Sequence, residues 1–125
     1  MSEFHLLQGQ TTTTAPPSTA AQPPLIAIPQ PSGGNAPTGQ QTFQVRLQGV
    51  GSCSATIQVY ASNDFDPFTD GHWTTYGAPQ AISGFGDLLP LPMASWSGSQ
   101  AFRAFCAIVT AINGTQAAVY LKMNA

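Results

Sequence analysis

Charge is what this sequence has least of. Three basic residues (Arg46, Arg103, Lys122) stand against five acidic ones (Glu3, Asp64, Asp66, Asp70, Asp87) in 125 residues, for a net charge of −2. Without a basic patch the chain has nothing to neutralise a phosphate backbone, so nucleic-acid binding is not expected. Without a cationic amphipathic segment it has no hold on an anionic membrane surface. Histidine is nearly as scarce: His5 and His72 are the two present, and neither has a Ser-Asp or Cys partner nearby in sequence, so no catalytic triad and no enzyme activity are expected. The longest apolar run, Ala104 to Ile112, falls well short of the roughly 20 residues that span a bilayer. Met1-Ser2-Glu3-Phe4 lacks the positive region and apolar core of a secretion signal. Two cysteines, Cys53 and Cys106, do not make a disulfide scaffold; both fall on strand-like segments, as buried thiols or as a pair bonded between neighbouring strands. No window carries a capped 3.6-residue period, so helices are not expected.

What the chain does have changes character near residue 40. Residues 1–40 hold seven of the eleven prolines, the Thr11–Thr14 run and Ser32-Gly33-Gly34, but one of the twelve aromatics, Phe4. Such a segment buries too little apolar surface to offset ordering costs of roughly 1–2 kcal/mol per residue, and reads as an extended arm without a fold of its own. Two apolar islands interrupt it, Phe4-His5-Leu6-Leu7 and Leu25-Ile26-Ala27-Ile28. They are chance, or they are docking points, with Phe4, Leu6, Leu7, Leu25, Ile26 and Ile28 making contact on an adjacent subunit. On that reading the arm is dispensable for folding.

Residues 41–125 read as one β domain. Phe43, Val45 and Leu47 alternate with Gln44, Arg46 and Gln48, and Cys53, Ala55, Ile57 and Val59 alternate with Ser54, Thr56, Gln58 and Tyr60. Gly49 and Gly51 suggest a turn or bulge between the two runs. Trp73–Tyr76 and Gln80–Ser83 read as short strands, and Pro90 and Pro92 confine Leu88–Met93 to an edge or irregular segment. Asn113-Gly114 between Gln100–Ile112 and Gln116–Met123 predicts a C-terminal hairpin with a type I′ turn. The expected fold is all-β, a small antiparallel β-sandwich or jelly-roll-like barrel with a long extended N-terminal arm.

Asp64, Asp66 and Asp70 stand at positions 1, 3 and 7 of a loop, as in the start of a Ca²⁺ loop, but Thr69 and Thr75 replace the glycine and glutamate such a loop needs. Turn chemistry explains the same residues. No metal or other cofactor is therefore expected, with a weak cation loop kept as the alternative. Phe65, Phe68, Trp73, Tyr76, Phe85 and Trp96 lie in or near loops, where they cap the core, meet another subunit or stack on sugar rings.

From about residue 53 the chain resembles a type of small β-rich virion protein of tailed bacteriophages. The resemblance rests on Ala61-Ser62-Asn63-Asp64, Trp73-Thr74-Thr75-Tyr76-Gly77, Ile82-Ser83-Gly84, and Trp96 ahead of Phe102-Arg103-Ala104. It continues through Val109-Thr110-Ala111-Ile112-Asn113-Gly114-Thr115 to Ala118-Val119-Tyr120-Leu121-Lys122-Met123. The Asp66–Asp70 segment and the Pro-rich arm depart from it. The resemblance implies an antiparallel sandwich used in head decoration, capsid cementing, or tail and fibre attachment, located in the virion after assembly in the host cytoplasm. The expected partners are the major capsid protein and further copies of the chain, as a homo-oligomer such as a trimer. The expected function is a capsid decoration or cement subunit that binds the outer shell and ties neighbouring capsid subunits together through its arm. A tail, neck or head-fibre-anchoring part is the alternative within that class, and a carbohydrate-binding module the alternative from another.

Overall fold

The computed structural model describes residues 3–18, 21, 23, 25–29, 40–64, 67, 71–87, 94–100 and 102–124. Six strands form one antiparallel sheet: β1 (Glu3–Gln10), β2 (Gln41–Ser62), β3 (Thr74–Thr75), β4 (Gln80–Asp87), β5 (Ala94–Gly98) and β6 (Ala104–Asn124). Among the described residues there is no helix. The sheet is built on β2 and β6, which pair along nearly their whole length from Thr42↔Asn124 to Ser62↔Ala104. On the far side of β2 lie β5, β4 and β3 in turn, and on the far side of β6 lies β1.

The alternation read from the sequence is the alternation observed. Phe43, Val45 and Leu47, then Cys53, Ala55, Ile57, Val59 and Ala61, are all buried on one face of β2. They share a single core with Val119, Leu121 and Met123 of β6 and with Phe105, Ala107 and Val109 of the same strand. Ala104–Val109 does not alternate because it is buried on both faces.

The sheet is curled back on itself. The Tyr76 N–H donates to the Val59 carbonyl at 2.8 Å, while the Tyr76 hydroxyl donates to Gln41 Oε1. Along a straight strand Val59 and Gln41 would stand about 60 Å apart, far beyond the reach of one side chain. β2 is bent midway, at Gly49–Cys53. There Gly51–Cys53 oppose the single residue Gly114 of β6, and Gly51 takes a φ of 71°. The bend is tight enough that a Cβ on Gly49 would lie 2.3 Å from Cys53 Sγ. Bulges of this kind increase local twist and fold a ribbon over. The result is a half-barrel whose two halves face each other across the core.

Two expectations need correction. The Asn113-Gly114 hairpin does not form: β6 continues through it as one strand, and Asn113 pairs with Ser54 and Thr115 with Val50. Both flanking segments find a longer partner in β2 than they would in each other. Positive φ at Gly114 (125°) and, two residues on, at Gln116 (55°) lets β6 follow the bend in β2. The second correction concerns residues 3–10, which composition assigned to an arm without a fold of its own. They are β1, paired with β6 from Glu3↔Asn124 to Gln10↔Val119. Register shifts between His5 and Leu7 and between Gln8 and Gln10 interrupt that ladder, and the first brings the consecutive Leu6 and Leu7 both into the chain's own core, 1% and 3% exposed.

Candidate functional site: the two sheet edges

A sheet that does not close completely has two edges, and unpaired edges are where other chains add. This chain treats its two edges differently.

The β6 edge is covered at both of its ends by the chain's own N-terminal segment. β1 takes the stretch from Asn124 to Val119. Beyond it, the Thr14 N–H donates to the Val109 carbonyl at 3.0 Å, and Ala27 forms an antiparallel bridge with Phe105, with N···O distances of 2.8 and 2.9 Å. The segment cuts across the bend: four residues, Gln10 to Thr14, cover at most about 14 Å, where Val119 to Val109 would run about 33 Å in a straight strand. Of the docking residues expected from the sequence, Leu6 and Leu7 are core residues of the same chain, and Phe4 packs against that core. Leu25, Ile26 and Ile28 are half-buried around Ala27, which is itself in the core. Sequence reasoning missed Ala27, the anchor of that island; its flanking by Leu25, Ile26 and Ile28 was the available signal.

Among the described residues the opposite edge is bare. β4 pairs with β2 from Val50↔Asp87 to Ile57↔Gln80, and among the described residues nothing pairs with its other side. Its exposed positions are Ala81, Ser83 and Phe85, while Ile82 and Gly84 are half-buried. Phe85, 78% exposed, is the one large hydrophobic side chain left in solvent among the described residues. Between Gln80 and Gly86 the strand carries no charge, no proline and no bulge, the devices that keep an edge from pairing.

Two of the other aromatics that could have faced a ligand, Trp96 and Tyr76, are turned inward. Trp96 stacks on Phe43, with centroids 5.3 Å apart and planes 15° apart. Tyr76 meets Phe43, Phe102 and Phe105 at 5.4–6.0 Å. Trp73 is half-buried, with its Nε1 buried and without a partner among the described residues. Phe65 and Phe68 lie outside the described residues.

Asp64 is occupied by its own loop. Its Oδ2 accepts the His72 N–H at 2.9 Å and lies 3.1 Å from His72 Nδ1, and the Asp64 N–H donates to Ser62 Oγ. Asp66 and Asp70 lie outside the described residues. Among the described residues no three His, Cys, Asp or Glu side chains gather as a metal site. The backbone N–H of Arg103 donates to Asn63 Oδ1 at 3.2 Å, tying the start of β6 to the end of β2.

Cys53 and Cys106 are free and buried. Burial pushes the Cys106 thiol up from its ordinary 9.0 to about 12, because the thiolate would lose its hydration. The folded state therefore holds this proton more tightly than the unfolded chain. The associated stability is complete below pH 9 and is lost as pH rises toward 12. The midpoint of urea denaturation should fall above pH 9, and a Cys106→Ala variant should lose that component. At pH 8 the thiol should react with a disulfide reagent only after unfolding; rapid reaction in the native protein would contradict its burial.

No family model, curated protein or solved structure matches the chain.

Proposed function

We propose that the chain is a structural virion protein of a tailed phage, a capsid decoration or cement subunit with an assembly role and no chemistry of its own. The observation that carries the reading is the contrast between the two edges. The N-terminal segment holds both ends of β6, and among the described residues β4 is left without a partner on its outer side, beside an exposed phenylalanine. A module strapped by its own chain on one side and open on the other suits attachment within a larger array. Low charge supports the same reading, since copies crowded on a shell meet little mutual repulsion. So does the inward turn of Tyr76 and Trp96, which removes two of the platforms a sugar-binding module would use.

Within this reading the N-terminal segment acts first as a strap on its own sheet. The residues left to touch the major capsid protein are the half-buried Leu25, Ile26 and Ile28, which flank the anchored Ala27. Many weak copies of such a contact on a fixed lattice gain avidity that one copy lacks.

The test is to add the purified full chain to mature capsids of the phage that encodes it and to count bound copies. Saturation at a copy number that scales with the shell's subunits is the expected result. Saturation at a few copies would move the chain to the tail, neck or fibre base. No retention on any phage particle would overturn the virion reading.

A further inference from the structure

We infer that β4 is a homotypic edge, at which two copies of the chain join by antiparallel pairing of β4 with β4 about a twofold axis centred on Ser83. This deepens the assembly reading by naming the partner at the bare edge.

The backbone sets the form of the contact. The outer edge of β4 offers a row of N–H and C=O groups to an added strand, and an identical antiparallel strand always presents the matching row. In a continuous sheet the twofold axis relating two antiparallel copies stands perpendicular to the sheet. Each residue must then pair with one on the same face, so residue numbers in a pair sum to an even value. Centring on Ser83 satisfies this and pairs Ala81 with Phe85 twice, Ser83 with itself, and Ile82 with Gly84.

Side-chain size selects this centre. The exposed face of β4 reads small, small, large: Ala81, Ser83, Phe85. Pairing about Ser83 sets each Phe85 directly opposite the partner's Ala81, the smallest side chain on that face, so both rings are covered without meeting each other. Residues opposite each other in this way lie about 4.5–5.5 Å apart between Cα atoms. Charge does not oppose the contact. Asp87, the strand's one charged residue, comes to opposite ends of the paired strands in the two copies. The two positions are about 26 Å apart by strand rise, beyond a screening length of about 8–10 Å.

Cysteine scanning on the purified full chain tests both the contact and its register. Ser83→Cys places two thiols opposite each other at the axis, within the separation a disulfide spans. Mild copper-catalysed oxidation should give a covalent dimer on a non-reducing gel. Ala81→Cys places the two thiols four residues apart along the strands, about 13 Å, and should give none. The native chain is the control, because Cys53 and Cys106 are buried. Phe85→Asp alters an exposed side chain, should leave the circular dichroism unchanged, and should shift the sedimentation profile towards the unpaired species. Absence of a Ser83→Cys dimer, an equal yield from Ala81→Cys, or unchanged association of Phe85→Asp would each overturn the inference. None of these measurements involves a capsid, so failure here is distinguishable from failure of the virion reading.

Discussion

Alanine in place of Tyr76 should leave the chain unfolded or close to it. The ring is buried and lies edge-on to Phe105 at 5.4 Å and to Phe102 at 5.7 Å, with Phe43 at 6.0 Å. Removing a large aromatic side chain from such a site costs about 3–5 kcal/mol through lost burial and the cavity left behind. The hydroxyl adds to this. It donates to Gln41, itself 3% exposed, and accepts the Gln100 N–H at 3.1 Å. Leaving a buried amide without its partner costs a further ~1–3 kcal/mol. Against a total stability of roughly 5–15 kcal/mol for a domain, the sum removes most of the margin. Tyr76→Phe isolates the second contribution and should lower the urea midpoint by the smaller amount. The same locus forbids growth: a Cβ on Gly98 would sit 2.1 Å from the Tyr76 hydroxyl. A Tyr76→Ala protein within 1 kcal/mol of the native chain would mean that the curl is not closed at this residue.

The second large effect is expected at β1. Leu6→Ala and Leu7→Ala each remove a core side chain, at about 2–5 kcal/mol apiece, with the sum modified by their contact with shared neighbours. Deleting residues 1–10 goes further, because it also strips the ladder from Asn124 to Val119 and exposes the β6 edge. The truncated chain should unfold at lower urea and aggregate on heating. This reverses what composition alone implies, namely that the first 40 residues can be removed from a self-sufficient sandwich. A truncated chain as stable and soluble as the full one would show that β1 is dispensable.

These two sites mark where the sequence was informative and where it was silent. Alternation made the inner face of β2 legible, residue by residue from Phe43 to Val59, because period-two burial is written directly in side-chain chemistry. All-β character followed from the same pattern and from the absence of capped helical periods. Pairing was not legible. Asn113-Gly114 is a strong local signal for a hairpin, yet β2 offers β6 a partner on both sides of the dipeptide, and tertiary pairing prevailed. β1 was hidden because eight strand residues sit in a segment whose overall composition is that of a linker. β5 was hidden because Ala-Ser-Trp-Ser-Gly is small and polar around one aromatic. For the candidate site, Phe85 could be named from the sequence as an aromatic near a loop. Its standing alone on a bare edge depends on which strands cover which, and that is a property of topology. Tyr76 was grouped with it by position and went the opposite way, since a residue in a loop position can still aim its ring at the core.

The central pair of strands also governs how the chain reaches this structure. No tight turn joins β2 to β6; their closest pair in sequence, Ser62 and Ala104, already encloses more than forty residues, and the far end of the ladder joins Thr42 to Asn124. Such pairing must meet a large loop-closure cost before any of its hydrogen bonds form, which places the fold among slow, non-local folders. During synthesis β2 emerges long before β6 exists to pair with it. Until β6 has been synthesised, a 22-residue strand with an apolar face waits without its main partner, a window in which chaperone capture and aggregation compete with the native sheet.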